Sequence, residues 1–107
     1  MTKYLHYIDG KYVEPSTGKW FDSFNPFTGE VWAQIAQGNA EDVDRAVKAA
    51  HRELTVGPWS QLTPSQRGVL MHKLGDLIAR DAKKLAEIEV RDNGKLIAEM
   101  QGWPQIG

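Results

Sequence analysis

Cysteine is missing from all 107 residues, which removes disulfides, thiolate zinc sites and a cysteine nucleophile from this chain's chemistry. An excess of one charge is also missing. Thirteen Lys and Arg stand against fourteen Asp and Glu, a formal net charge of −1. No overall field therefore draws the chain to nucleic acid or to anionic lipid. No apolar run approaches the roughly 20 residues a membrane helix needs. Residues 1–7 have neither the apolar core of a signal peptide nor the Arg-rich amphipathic pattern of a transit peptide. A cytoplasmic protein with no membrane partner and no nucleic-acid partner is the expectation.

The motifs of common enzyme sites are absent too. No two glycines are spaced G-x-G, neither Gly10-Lys11 nor Gly94-Lys95 completes a P-loop, and there is no G-x-S-x-G or H-E-x-x-H. His6, His51 and His72 stand far apart in the sequence. His72 and Asp76 can share a helix face at i, i+4, but two ligands fall short of a metal site, so all three histidines are expected on the surface. Glu87, Glu89, Asp92 and Glu99 read as a solvated helical face rather than an acid–base pair. The four tryptophans are expected to fill core or interface space.

What is present is 41% hydrophobic and 25% charged residues, the balance of a soluble globular chain with one modest core. Its character changes near Gly38. Before that point, Tyr7-Ile8 and Lys11-Tyr12-Val13 flank Asp9-Gly10, the dipeptide of a two-residue hairpin turn. Residues 20–24 can extend again, Asn25-Pro26-Phe27-Thr28-Gly29 forms a second turn, and residues 30–36 alternate, with Val31, Ala33 and Ile35 on one face. These segments predict antiparallel strands.

After Gly38 the period is helical. Asn39 is suited to an N-cap, Glu41, Asp42 and Asp44 favour a helix start, and Val43, Ala46, Val47, Ala50 and Leu54 form one stripe expected to be buried. Gly57-Pro58 ends that helix. Thr63-Pro64-Ser65-Gln66 is a capping box opening a second helix, expected to bury Val69, Leu70, Leu74, Leu77 and Ile78. Asp81 is expected to cap a third helix carrying Leu85 and Ile88, with Asn93-Gly94 as a left-handed stop. The fold expected is α+β: N-terminal antiparallel β-hairpins in residues 1–37, three or more helices in 38–100, and a divergent tail in 101–107.

Five stretches, in order and spacing, resemble the aldehyde dehydrogenase superfamily. Tyr7-Ile8-Asp9-Gly10-Lys11 is similar to its N-terminal start, and Asn25-Pro26-Phe27-Thr28-Gly29-Glu30-Val31 to its N-P-x-T-G-E turn. Residues 41–50 resemble its first helix. Gly57-Pro58-Trp59, Arg67-Gly68 and Leu77-Ile78-Ala79 resemble the segment that follows, and Asp92-Asn93-Gly94-Lys95 its D-N-G-K turn. The resemblance runs from about Tyr7 to about Met100, and the tail Gln101-Gly102-Trp103-Pro104-Gln105-Ile106-Gly107 departs from it.

The resemblance implies an N-terminal structural part of an NAD(P)-dependent enzyme that oxidises aldehydes to carboxylic acids. In the intact family this part belongs to the α/β dinucleotide-binding domain. The catalytic cysteine, the general base and the cofactor-binding loops fall outside the matched segment. No catalytic or cofactor-binding residue is therefore carried over, and the chain alone is expected to be inactive and to bind no NAD or NADP. One family site does reach it, a monovalent-cation site for Na+ or K+ made of backbone carbonyls, which implies Phe24, with Ser23, and Asp92 as donors. The implied partner is the remainder of the dehydrogenase or a companion chain. Self-association is expected of the chain by itself, because its apolar stripes would lack their cover. Two other readings stand beside this one, a free-standing binding module that retains the fold and a subunit completed by another chain.

Overall fold

The computed structural model describes residues 1–95. The end of the helical region expected over 38–100, with Glu99 in it, and the tail 101–107 lie outside the described residues. In chain order the elements are β1 (Thr2–Tyr4), β2 (His6–Ile8), β3 (Lys11–Val13), β4 (Trp20–Phe24), β5 (Val31–Ala36), α1 (Ala40–Thr55), a 3-10 turn (Pro58–Gln61), α2 (Pro64–Arg80) and α3 (Ala82–Asn93). Strands followed by helices make the chain α+β. They group into two compact units, Met1–Ser23 with Val31–Leu62, and Phe24–Glu30 with the residues from Thr63 on.

In the first unit, β2 and β3 form the expected hairpin, pairing His6 with Val13 and Ile8 with Lys11. Its turn needs two residues at positive φ, and Asp9 (55°) and Gly10 (73°) supply them. The expectation of purely antiparallel strands is corrected at β1. This strand pairs parallel to β5, with Thr2 opposite Ala33 and Tyr4 opposite Ile35. Parallel partners need a long crossover, and the chain between Tyr4 and Val31 provides it. Strand β5 therefore lies between β1 and β4. That central position changes its burial from simple alternation: Ala33 and Ala36 are buried, while Val31, Trp32, Gln34 and Ile35 are half-buried. Tyr4 stacks edge-on against Trp32 at 5.9 Å, and the Lys3 ammonium lies 4.7 Å from the Trp20 ring centre.

Helix α1 starts where expected, with Asn39 as its cap. Its apolar stripe is not buried. Val47 is 59% and Leu54 72% exposed, and Val43 is exposed beside them. The spacing correctly marks one face of a helix, but nothing among the described residues covers that face.

In the second unit, α2 opens on the expected capping box and α3 ends on Gly94 at φ 76°. The burial expected on α2 is again overturned. Val69 is 68% exposed, Leu70, Leu74 and Leu77 are exposed as well, and only Ile78 is half-buried. On α3, Leu85 is exposed and Ile88 half-buried, while Ala82 and Ala86 are buried. Asp81 stands at the N-cap of α3 but makes no capping bond. Its carboxylate takes the Arg80 guanidinium instead, at 3.1 and 3.2 Å. The buried core of the described residues is Ala33, Ala36, Ala82 and Ala86, joined by Pro15 and Gly57, and no large side chain is fully buried. No helix among the described residues is long and apolar enough to cross a membrane.

Candidate functional site

The N-terminus of α1 gathers most of the first unit's buried polar chemistry. Asn39 is extended, so its Oδ1 reaches back to accept the Asp42 N–H at 2.9 Å. Asp42 Oδ2 in turn accepts the Asn39 N–H at 3.3 Å, completing a reciprocal box. The Asp42 side chain, 4% exposed, also accepts the Ser16 N–H at 3.2 Å and lies 3.5 Å from His6 Nε2. Burial by itself pushes the Asp42 carboxyl up. The Asn39 and Ser16 N–H donors and the nearby His6 outweigh it, and the result lies below the ordinary 3.8.

Ser16, His6 and Asp42 nonetheless form no relay. The Ser16 hydroxyl donates to Asn39 Oδ1 at 3.0 Å rather than to the imidazole, and His6 Nε2 makes no hydrogen bond. A nucleophile needs its base within hydrogen-bond reach. The cluster ties the 15–18 loop and β2 to the start of α1. Sequence reasoning saw the acidic first turn but not this tie. The Asn39-x-x-Asp42 spacing was the signal for the box, and nothing local pointed to Ser16 or His6.

The second unit brings two of the expected motifs together. In the 25–29 turn, Asn25 Oδ1 accepts the Phe27 N–H at 2.9 Å, and the Gly29 N–H donates to the Asn25 carbonyl at 2.7 Å. At the other end, the Gly94 N–H donates to the Val90 carbonyl at 2.8 Å and closes α3. The backbone of Gly94 rests against the Pro26 ring so closely that a Cβ there would sit 3.3 Å from Pro26 Cβ. Beside this contact lies a cavity of about 450 Å³ lined by Asn25, Phe27, Val90, Arg91, Gly94 and Lys95, with Glu87.

The implied cation donors sit near these features. Phe24 is the last residue of β4 and leads into the turn, and Asp92 is in the last turn of α3. Both belong to the second unit, whereas Ser23 falls in the first. His72 and Asp76 are both exposed on α2. Among the described residues no group of three or more His, Asp or Glu is arranged to hold a metal ion.

Among the described residues, the starts of α1 and α2 do not fit a dinucleotide. A pyrophosphate rests on free N–H groups at a helix N-terminus. At α1 those groups are met by the Asn39–Asp42 box, with a carboxylate where an anion would lie. At α2 the Thr63–Gln66 box meets them, with Gln66 Oε1 accepting the Thr63 N–H at 2.8 Å. At α3 no side chain caps the helix, and the Asp81 carboxylate takes the Arg80 guanidinium instead.

Comparison with known proteins gives a consistent result. The profile of the aldehyde dehydrogenase family matches residues 12–106. The chain is 43% identical over 99 residues to a (Z)-2-((N-methylformamido)methylene)-5-hydroxybutyrolactone dehydrogenase of Acinetobacter baylyi, covering 92% of this chain and 20% of that one. It is 47% identical over 90 residues to the mitochondrial aldehyde dehydrogenase of Rattus norvegicus, covering 83% and 17%. Among solved structures, the NAD-dependent aldehyde dehydrogenase of Sinorhizobium meliloti superposes with a TM-score of 0.91 at 36% identity, over 96% of this chain and 21% of that one. The aldehyde dehydrogenase of Bacillus cereus, solved as an NAD+ complex, gives 0.87 at 38% identity, over 90% and 20%. The chain thus spans about a fifth of the length of these relatives, corresponding to their N-terminal part.

Proposed function

The chain belongs to the aldehyde dehydrogenase family, and from that premise we propose that it serves as the N-terminal scaffold of an NAD(P)-dependent enzyme oxidising aldehydes to carboxylic acids. The observation that carries this reading is the pair of uncovered apolar faces, Val43, Val47 and Leu54 on α1 and Val69, Leu70 and Leu74 on α2. A scaffold keeps such faces for the rest of its protein, at roughly 25 cal/mol per Å² buried. The cysteine, base and cofactor loops of the intact family are contributed by the remainder of a dehydrogenase, in the same polypeptide or a companion chain. NAD as the cofactor is supported by the Bacillus cereus relative, solved as an NAD+ complex.

The test is a chimera of the Bacillus cereus aldehyde dehydrogenase with its matching N-terminal segment replaced by this chain. Expected is a folded enzyme that reduces NAD+ with aldehyde at a rate within about tenfold of the parent, the scale at which positioning losses are felt. A chimera that does not fold, or folds and is inactive, overturns the proposal. Aldehyde-dependent NADH production by the 107-residue chain alone would overturn it as well.

Within this reading, the carbonyls of Phe24 and Asp92 are two donors to a bound Na+ or K+. The last turn of α3 supports this, because its carbonyls carry the negative end of the helix dipole, and so does the packing of its stop against Pro26. Replacing Na+ and K+ by a bulky organic cation at constant ionic strength should lower the chimera's melting temperature. An unchanged melting temperature removes the cation from the proposal.

A further inference from the structure

Asn93 and Gly94 form the only Asn-Gly pair in the chain. Glycine has no Cβ to shield its backbone nitrogen, which makes such a pair the place where a polypeptide most readily loses ammonia. The Gly94 nitrogen attacks Asn93 Cγ. A bond forms between these atoms, the Cγ–Nδ2 bond breaks, and Nδ2 leaves as ammonia with the proton given up by the Gly94 amide. Water then adds to either carbonyl of the cyclic imide and reopens it, leaving aspartate or isoaspartate at position 93. The only co-reactant is water.

Folded α3 holds both reacting atoms. The Gly94 N–H donates to the Val90 carbonyl at 2.8 Å. Asn93 Nδ2 donates to Glu89 Oε1, and Asn93 Oδ1 accepts the Lys95 N–H at 2.9 Å. Closing the imide ring requires the Gly94 nitrogen to leave Val90 and the carboxamide to turn away from both partners. The geometry points to Asn93 as a deamidation site gated by the last turn of α3, whose product in turn destroys that gate.

The product keeps an acceptor for the Lys95 N–H but reverses the contact with Glu89. A carboxylate at 93 has nothing to donate to Glu89, four residues earlier on the same face, and repels it. It also puts negative charge at a helix C-terminus, where the dipole disfavours it. An isoaspartyl linkage lengthens the backbone by a methylene and moves Gly94 off the Pro26 ring against which it rests. The other residue followed by a suitable glycine turn, Asp9, is slower by its chemistry. Its carboxyl must lose water instead of ammonia, and Arg52 holds it at 2.7 Å.

Isoaspartate at 93 is measured by peptide mapping and enzymatic isoaspartate methylation, after incubating the full chain at mildly alkaline pH. The same chain in denaturant and the variants Glu89→Ala and Glu89→Gln run in parallel. Expected is a rate at least about tenfold slower in the native chain than in denaturant, as local opening predicts. Glu89→Ala, without the acceptor, should react faster than the unmodified chain. Glu89→Gln keeps an acceptor and should stay within about twofold. Equal native and denatured rates overturn the gate, as does an unchanged rate in Glu89→Ala. Absence of isoaspartate at 93 in the denatured chain overturns the site itself.

Discussion

At Asp42, burial and hydrogen bonding act in opposite directions, and hydrogen bonding wins. Its carboxyl titrates below 3.8 in the folded chain, while in the unfolded chain it returns to its ordinary value near 4. The folded state therefore binds its proton less readily. The stabilisation is fully present above about pH 4 and is lost as pH falls through the lower, folded value. Denaturant unfolding at a series of pH values should show this acid-side loss. In Asp42→Asn that part of the pH dependence should vanish, with lower stability at neutral pH, because the amide cannot accept from both Asn39 and Ser16 as the carboxylate does. If Asp42→Asn keeps the same acid profile, another group is responsible. Gly94 gives a second residue-scale prediction. Its φ of 76° is in the left-handed region, and an added Cβ would meet Pro26. Gly94→Ala should cost about 1–2 kcal/mol in denaturant unfolding, with hydrogen exchange quickening in the last turn of α3 rather than in α1.

Among the elements, helix starts were the most legible features and buried faces the least. Both capping boxes are complete, so Asn39→Ala and Thr63→Ala should each cost about 1 kcal/mol, and they should add, since they cap different helices. Asp81 provides the contrast. Its carboxylate is drawn below its ordinary value chiefly by the hydrogen bond from Arg80 and makes no cap. Asp81→Ala should therefore leave the helicity measured by circular dichroism unchanged, where Thr63→Ala lowers it. Asp9-Gly10 was legible for the same reason as the boxes: a turn or cap is satisfied by residues two or three apart. The parallel β1–β5 pair was not legible. Three residues of β1 carry no mark of a partner some thirty positions away.

For the whole molecule, the apolar faces of α1 and α2 are the features with most consequence. Val47→Glu and Val69→Glu lie on exposed positions, so in the chain alone each should change stability by no more than about 0.5 kcal/mol. In the dehydrogenase chimera the same substitutions put an unpaired charge into a covered face, and assembly and aldehyde oxidation should fall together. Light scattering gives a related outcome. The unmodified chain should self-associate, and the double variant should do so less. Substitutions that cost the same in the chain and the chimera would show that these faces are surface in both.

The strands after β1, the three helices, the Asn39 cap, the Thr63–Gln66 box, the hairpin turn, the left-handed stop and the family itself were determined by the sequence alone, because each rests on neighbours in the chain or on short motifs in order. Only the tertiary structure decided that Asp42 accepts from Ser16, that Gly94 lies against Pro26, that β1 runs parallel to β5, and that the helical stripes stand uncovered. A periodic pattern says which side of a helix is apolar, but burial depends on what packs there. Among the described residues of this chain no large apolar side chain is fully buried, so the side that looks like core by its spacing remains at the surface.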